Sequence, residues 1–302
     1  RANTFDTPLW RAPSKKSNEE RGRRHRTIVE WTLVMINLVT RWLRKPWVLI
    51  GDGAYACIHL GHYCNQKGVT LVSRLRLDAA LYARPEPVPH GRRGRKPIKG
   101  KREPSLKELA KDRNQAWRAA SLNWYGCESK KVRYLTGVSL WYKAGEKPLP
   151  IRWVLVIDEN KPDRPEAFFS TDINICATKI IEWFVLRWNI EVTFEEVRAH
   201  LGVETQRQWS DKAIGRTTPV LMGLYSLACL IGKELSQSVS WRPAASAWYQ
   251  KGDQYTFSDV MALIKRCIWS ERYFSDSYGT PDSIKLTLSE CNSLIEQLAA
   301  VT

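Results

Sequence analysis

The sequence predicts an α/β fold, a mixed sheet flanked by helices, and three observations carry that reading. An apolar run at 47–50 ends abruptly in Gly51-Asp52-Gly53, a second apolar run follows at 69–75, and apolar residues recur at helical spacing after 178. The first two runs, with a helix-length segment between them, form a strand–helix–strand unit of about 30 residues, hence a parallel pair.

The elements follow in order. Residues 1–27 are polar, basic and broken by Pro8 and Pro13, as in a surface connector. From 27 to 43, Ile28, Trp31, Val34, Met35, Leu38 and Trp42 recur every three to four residues, which predicts a helix. The run 47–50 predicts a buried strand that delivers Asp52 at its carboxyl end, with flanking glycines for a sharp turn. A helix over 54–66 and a strand over 69–75 complete the unit. Five prolines then flank a basic loop, with seven basic residues and no acid between 90 and 102. Strands are predicted at 133–141, 151–157 and 167–170, and helices at 178–201, 216–235, 257–269 and 286–299. The domain reading is a core at 1–83, a β-rich insertion with the basic loop at 84–170, the core again at 171–235, and a C-terminal helical region at 236–302.

At 302 residues the chain has length for about two domains and a real core. With 43% hydrophobic and 26% charged residues it is neither a disordered tail nor a fibre. A formal net charge of +16 predicts a polyanionic partner. The seven cysteines are scattered and never spaced as Cys-x-x-Cys, which fits a reducing, cytoplasmic setting and argues against zinc. The uncharged stretch 217–232 falls short of the roughly 20 residues of a membrane span and reads as a buried helix. The chain opens on Arg1 rather than Met and is read as a fragment with sequence missing upstream.

The stretch 178–201 places charges where a buried helix should have none. At roughly 100° per residue, Arg187, Glu191, Glu195 and Arg198 share one narrow stripe between two apolar flanks. Buried carboxylates are costly unless paired or bound to a metal. Intrahelical pairing of Arg187 with Glu191 is the plain alternative, since the two stand four residues apart. Glu195 is a secondary candidate, solvated or paired with Arg198. His59 and His62 lack the partners of a metal site, and His200 suits the negative end of a helix. No phosphate-binding Gly-x-x-x-x-Gly-Lys loop occurs, so ATP is not implied.

Two segments together resemble the DDE transposases of bacterial insertion sequences. Gly51-Asp52-Gly53-Ala54-Tyr55 resembles their Asp-Gly-x-Tyr element. Phe184, Arg187, Glu191 and Arg198 fall on the spacing of the Tyr-x-x-Arg-x-x-x-Glu-x-x-x-x-x-x-Lys signature of the insertion-sequence-4-like group. Residues 202–211 also resemble the segment just after that helix in the family, and the resemblance covers most of 25–235. Phe184 lacks the signature hydroxyl, and Arg198 replaces lysine while keeping its charge.

The resemblance implies an RNase H-like fold, with the β-rich stretch as the insertion between the second and third acids of an Asp-Asp-Glu triad. It further implies DNA cleavage and strand transfer with two Mg²⁺ or Mn²⁺ ions, Asp52 and Glu191 being catalytic and metal-ligating. Two such ions about 4 Å apart stabilise both the attacking and the leaving oxygen of a phosphodiester. Arg187 and Arg198 would contact phosphates or orient Glu191. Arg92, Arg93, Arg95 and Lys96 of the basic loop are read as electrostatic DNA contacts, and Arg207 and Trp209 as DNA contacts near the site. The partners implied are double-stranded DNA, at transposon ends and target, and a second copy in a homodimer on paired ends. No membrane is implied, and the setting is bacterial, cytoplasmic and nucleoid-associated. The first aspartate is expected upstream of Arg1: Asp6 reads as a loop acid, and Asp158 and Asp172 come after Asp52. Two rival readings are a non-catalytic DNA-binding remnant and, less favoured, a nuclease relative.

Overall fold

The computed structural model describes residues 15–87, 96–124, 127–204, 210–238, 255–274, 286–291 and 294. The chain divides into two compact units, one dominated by Trp10–Glu195 and the other by Glu196–Thr302.

In the first unit a short helix, α1 (Lys15–Glu20), falls within the stretch read as a polar connector. Helix α2 (Ile28–Leu43) starts at Thr27, whose hydroxyl accepts from the Glu30 N–H while the Glu30 carboxylate accepts from the Thr27 N–H. This reciprocal cap satisfies two of the orphan donors of the first turn. Strand β1 (Trp47–Gly51) follows, then a 3₁₀ turn (Gly53–Tyr55), α3 (Ile58–Gln66) and β2 (Val69–Leu75). The single helix expected over 54–66 is thus split, because Asp52 caps the 3₁₀ turn and α3 begins only after Cys57. Strands β1 and β2 are parallel, with Trp47 opposite Val69 and Gly51 opposite Ser73.

The β-rich stretch extends this same sheet. Beyond β3 (Leu81–Tyr82) and α4 (Leu106–Lys111) come β4 (Arg118–Trp124), β5 (Cys127–Trp141), β6 (Leu149–Asp158) and β7 (Lys161–Ser170). The order is β1-β2-β7-β6-β5-β3, with β4 also on β5. All pairings beyond β2 are antiparallel. The result is a mixed sheet flanked by helices, compatible with an RNase H-like fold. Helix α4 and strand β4 carried too little apolar periodicity to be read from sequence, although Ser105 and Glu108 form a second capping box.

Alternation along the strands sorts the side chains onto two faces. One face carries Leu71, Ile151, Leu155 and Phe169 and packs with Ile36 of α2 and Ile58, Leu60 and Cys64 of α3. The other carries Val72, Val154, Val156 and Phe168 and packs with Ile180, Ile181 and Phe184 of α5 (Ala177–Leu186).

The helix expected over 178–201 is two helices, α5 and α6 (Trp188–Leu201). At Arg187 the hydrogen bonds shorten to the third residue back, with the Arg187 N–H on the Phe184 carbonyl and the Ile190 N–H on that of Arg187. That tightening interrupts the wheel on which two continuous apolar flanks were drawn. Burial differs accordingly: Leu186, Trp188, Ile190, Val192 and Phe194 are exposed, and Val197 is the buried residue of α6.

The second unit contains α7 (Asp211–Ser238), with Pro219 inside it, and α8 (Phe257–Phe274). These two pack closely at Gly232, where a β-carbon would lie 2.4 Å from Val260, and Tyr225 stacks on Phe257 with centroids 4.6 Å apart. The segment 217–232 is not a fully buried helix: Val220, Leu224, Leu227 and Leu230 are exposed. Among the described residues, no helix is long and apolar enough to cross a membrane.

Candidate active site

Asp52 leaves the carboxyl end of β1 in extended conformation. Its Oδ1 accepts from the Ala54 N–H at 2.8 Å, and its carbonyl accepts from the Ser73 hydroxyl at 2.6 Å. Its position is fixed by side chain and backbone together, and the carboxylate remains exposed. Gly51 is required here because of its neighbour: a β-carbon would stand 2.8 Å from three atoms of Tyr55. Gly53 meets nothing within 4 Å and has no left-handed φ, so the expectation that both glycines shape the turn holds on steric grounds for Gly51 only. Sequence reasoning missed Ser73, whose role depends on strand register and leaves no local pattern.

The sheet then determines which helix end meets Asp52. Val48 and Ile50 lie on the α5 face, while Trp47 and Leu49 lie on the opposite one. Alternation carries Asp52 to the α5 side. Strand β7 runs antiparallel to β2, so its end at Ser170 falls opposite Val72, toward the amino ends of β1 and β2. Helix α5 starts there and returns along the face. Its last buried residue, Phe184, stacks on Phe168 with centroids 4.4 Å apart. Phe168 pairs with Arg74, one residue beyond the Ser73 that faces Gly51. The carboxyl ends of β1 and α5 therefore reach the same edge of the same face, and Arg187 and the first turn of α6 follow directly.

Arg187 and Glu191 form an ion pair, Nη1 to Oε1, at 2.6 Å. This is the intrahelical pair anticipated as the plain alternative. The Glu191 side chain is 40% exposed and that of Arg187 22% exposed, so the stripe is not deeply buried. The Arg187 Nε is nevertheless buried and has no hydrogen-bond partner among the described residues. Arg198 pairs with Glu204 at 2.5 Å rather than with Glu195, which is exposed. Phe184 fills the apolar interior against Phe168. His62 is engaged by the Lys147 carbonyl at 3.0 Å, and His200 lies 3.3 Å from Glu196. Among the described residues, no group of three or more His, Cys, Asp and Glu side chains is gathered to hold a metal.

Lys96 is exposed, whereas Arg92, Arg93, Arg95, Arg207, Trp209 and Asp6 lie outside the described residues. Ala83 and Lys101, Gly100 and Ala83, and Glu103 and Leu81 are joined by backbone hydrogen bonds. Lys99 Nζ sits 3.7 Å above the Tyr82 ring and 3.9 Å from that of Tyr142. Asp158 is engaged by Lys130 at 2.8 Å, and Asp172 accepts from the Asn174 N–H.

Comparison with known families adds two matches. Residues 4–130 match the family described as DDE superfamily endonuclease, and residues 142–241 match that described as Archaeal putative transposase ISC1217. The first segment contains Asp52 and the second contains Arg187, Glu191 and Arg198. Together they support a DDE transposase without selecting a subgroup. No curated protein matches the chain.

Proposed function

We propose that this chain is the catalytic region of a transposase of the insertion-sequence-4-like, Tyr-Arg-Glu-Lys group, which cuts and joins DNA with divalent metal. The observation that carries the proposal is the convergence of the Asp52 end of β1 and the Arg187–Glu191 junction on one edge and one face of the sheet. The donor chemistry fits magnesium or manganese, since both candidate ligands are carboxylates. A bound ion pair would supply charge stabilisation to the attacking and leaving oxygens of the phosphodiester.

The chain's own residues do the rest. The Ala54 N–H occupies Asp52 Oδ1 and aims the carboxylate outward, leaving Oδ2 for a ligand. Arg187 holds Glu191 through Nη1 and so orients its carboxylate. No strand among the described residues pairs with the outer edge of β1. A strand laid along that edge would bring a further acid beside Asp52, which is where the first aspartate of the triad belongs in this reading. The second reading, a non-catalytic DNA-binding remnant, is favoured by the fact that capping and ion pairing already account for both carboxylates.

Manganese binding separates the two. At ten times its dissociation constant, Mn²⁺ bound to the folded state alone stabilises it by about 1.4 kcal/mol. The expected result is an Mn²⁺-dependent rise in melting temperature that Asp52→Asn and Glu191→Gln each abolish. Identical Mn²⁺ titrations for wild type and both variants would favour the remnant.

A further inference from the structure

A cavity of about 790 Å³ opens on the first unit between the ends of β4 and β5 and the β6–β7 turn. Its charges sort into two kinds. Lys130 is matched by Asp158 at 2.8 Å, both side chains being mostly buried, and Glu166 is matched by Arg74 at 2.7 Å. Three further cations line the cavity, Lys131, Lys161 and Arg164, against one further acid, Glu159. Among the described residues, no carboxylate lies within ion-pair distance of those three cations. The cavity therefore presents surplus positive charge above a neutralised floor.

Its position follows from register. β7 is two strands from β1, and Glu166 lies two residues beyond the level of Asp52. At about 4.8 Å between strands and 3.4 Å per residue, Asp52 is about 12 Å from Glu166, about 17 Å from Lys161, which lies opposite Asp158 past a register shift in β7, and about 26 Å from Lys131 on β5. At 3.4 Å per nucleotide along one strand, that is roughly four to eight nucleotides. The aromatic floor is closed to a base: Trp124 is 9% exposed, and Lys130 Nζ sits 4.7 Å from its ring centroid. What the cavity offers is cations rather than a stacking platform.

We propose that this cavity is a DNA-backbone clamp, in which Lys131, Lys161 and Arg164 grip phosphates roughly four to eight nucleotides from the bond cut beside Asp52. The inference rests on the transposase reading. Lys130 and Asp158 act as the support that keeps the floor shaped and neutral.

The test uses the full chain and a fluorescein-labelled DNA duplex, with affinity measured by anisotropy across a salt series. The variant K131A/K161A/R164A is compared with K107A/K111A/K143A, which removes equal charge from exposed positions elsewhere on the same unit. Three lost phosphate contacts should flatten the slope of log affinity against log salt by about 2.7. Over roughly 50 to 200 mM salt, wild type should then lose about 40-fold more affinity than the cavity variant. The control variant should change the slope by less than about one unit. Equal flattening by both variants, or none by the cavity variant, overturns the clamp while leaving the transposase reading in place. A wild-type chain with no salt-dependent affinity for the duplex overturns both.

Discussion

Gly51→Ala tests how tightly the turn that carries Asp52 is built. The new methyl would stand 2.8 Å from Cβ, Cγ and Cδ2 of Tyr55, where ordinary contact begins near 3.4 Å. Something must therefore yield by about 0.6 Å or more, and overpacking of this kind costs about 1–3 kcal/mol. For a unit of this size each kcal/mol moves the midpoint by about 2–4 °C, so the melting temperature should fall by about 2–12 °C. The strain falls between the last residue of β1 and the 3₁₀ turn that Asp52 caps, so the Ser73 bond to the Asp52 carbonyl should loosen as well. The assay is a double-mutant cycle by thermal melting, with Gly51→Ala, Tyr55→Ala and both together. Removing the Tyr55 ring removes two of the three close contacts, so the two changes should couple by about 1 kcal/mol or more. Additive effects, or a Gly51→Ala protein that melts like wild type, would show that Tyr55 does not pack on Gly51 and that the account of this turn is wrong.

Three further outcomes rest on other contacts. Glu191→Gln should lower stability by only a few tenths of a kcal/mol, because the pair with Arg187 is partly exposed and one helical turn long, as melting without metal will show. A loss of several kcal/mol would return Glu191 to a structural role. Phe184→Ala empties the aromatic contact with Phe168 and should cost about 3–5 kcal/mol by denaturant unfolding, with Phe184→Leu costing much less. Burial opposes ionisation of Asp158, but the Lys130 ammonium and the Asn160 N–H outweigh it and hold the carboxyl below its ordinary 3.8. Because the folded value is the lower one, this stabilisation is present above about pH 4 and is lost as pH falls through the folded value. The stability gap between wild type and Asp158→Asn should therefore narrow in acid, and a gap constant down to pH 2, roughly the low end of shifted carboxyl values, would contradict that sign.

The parts of the fold that were legible in the sequence are those whose signal is local. Strand β2 was read with its observed limits because an apolar run of that length between a helix and a turn has few other solutions. Helix α2 and the parallel pairing of β1 with β2 follow from periodicity and from the shortness of the connection. What depended on distant partners was not legible. That β7 would lie against β2, placing the insertion strands in the same sheet as Asp52, is a question of which edge is free. The break at Arg187 left no proline or glycine to mark it, and a wheel drawn through it exaggerated the burial of α6. At the site, Asp52 and Glu191 stood out because motif spacing flagged them. Ser73 and the cavity cations did not, since serines and lysines on strands are common and acquire meaning only through register.

The junction at Arg187 also divides how this stretch of chain can evolve. Upstream of it, Ala177, Ile180, Ile181 and Phe184 are fixed by the sheet they cover, and substitutions there should read out as loss of folded protein. Downstream, α6 has one buried side chain, Val197, so most of its surface is free to vary without loss of the fold. A saturation library across 177–201 should show tolerance changing abruptly at one residue. Abundance would be constrained before Arg187, and selection after it would fall on individual charged positions. A lineage could thus retune what α6 touches while inheriting α5 unchanged, with Arg187 as the boundary between a conserved scaffold and a surface open to adaptation.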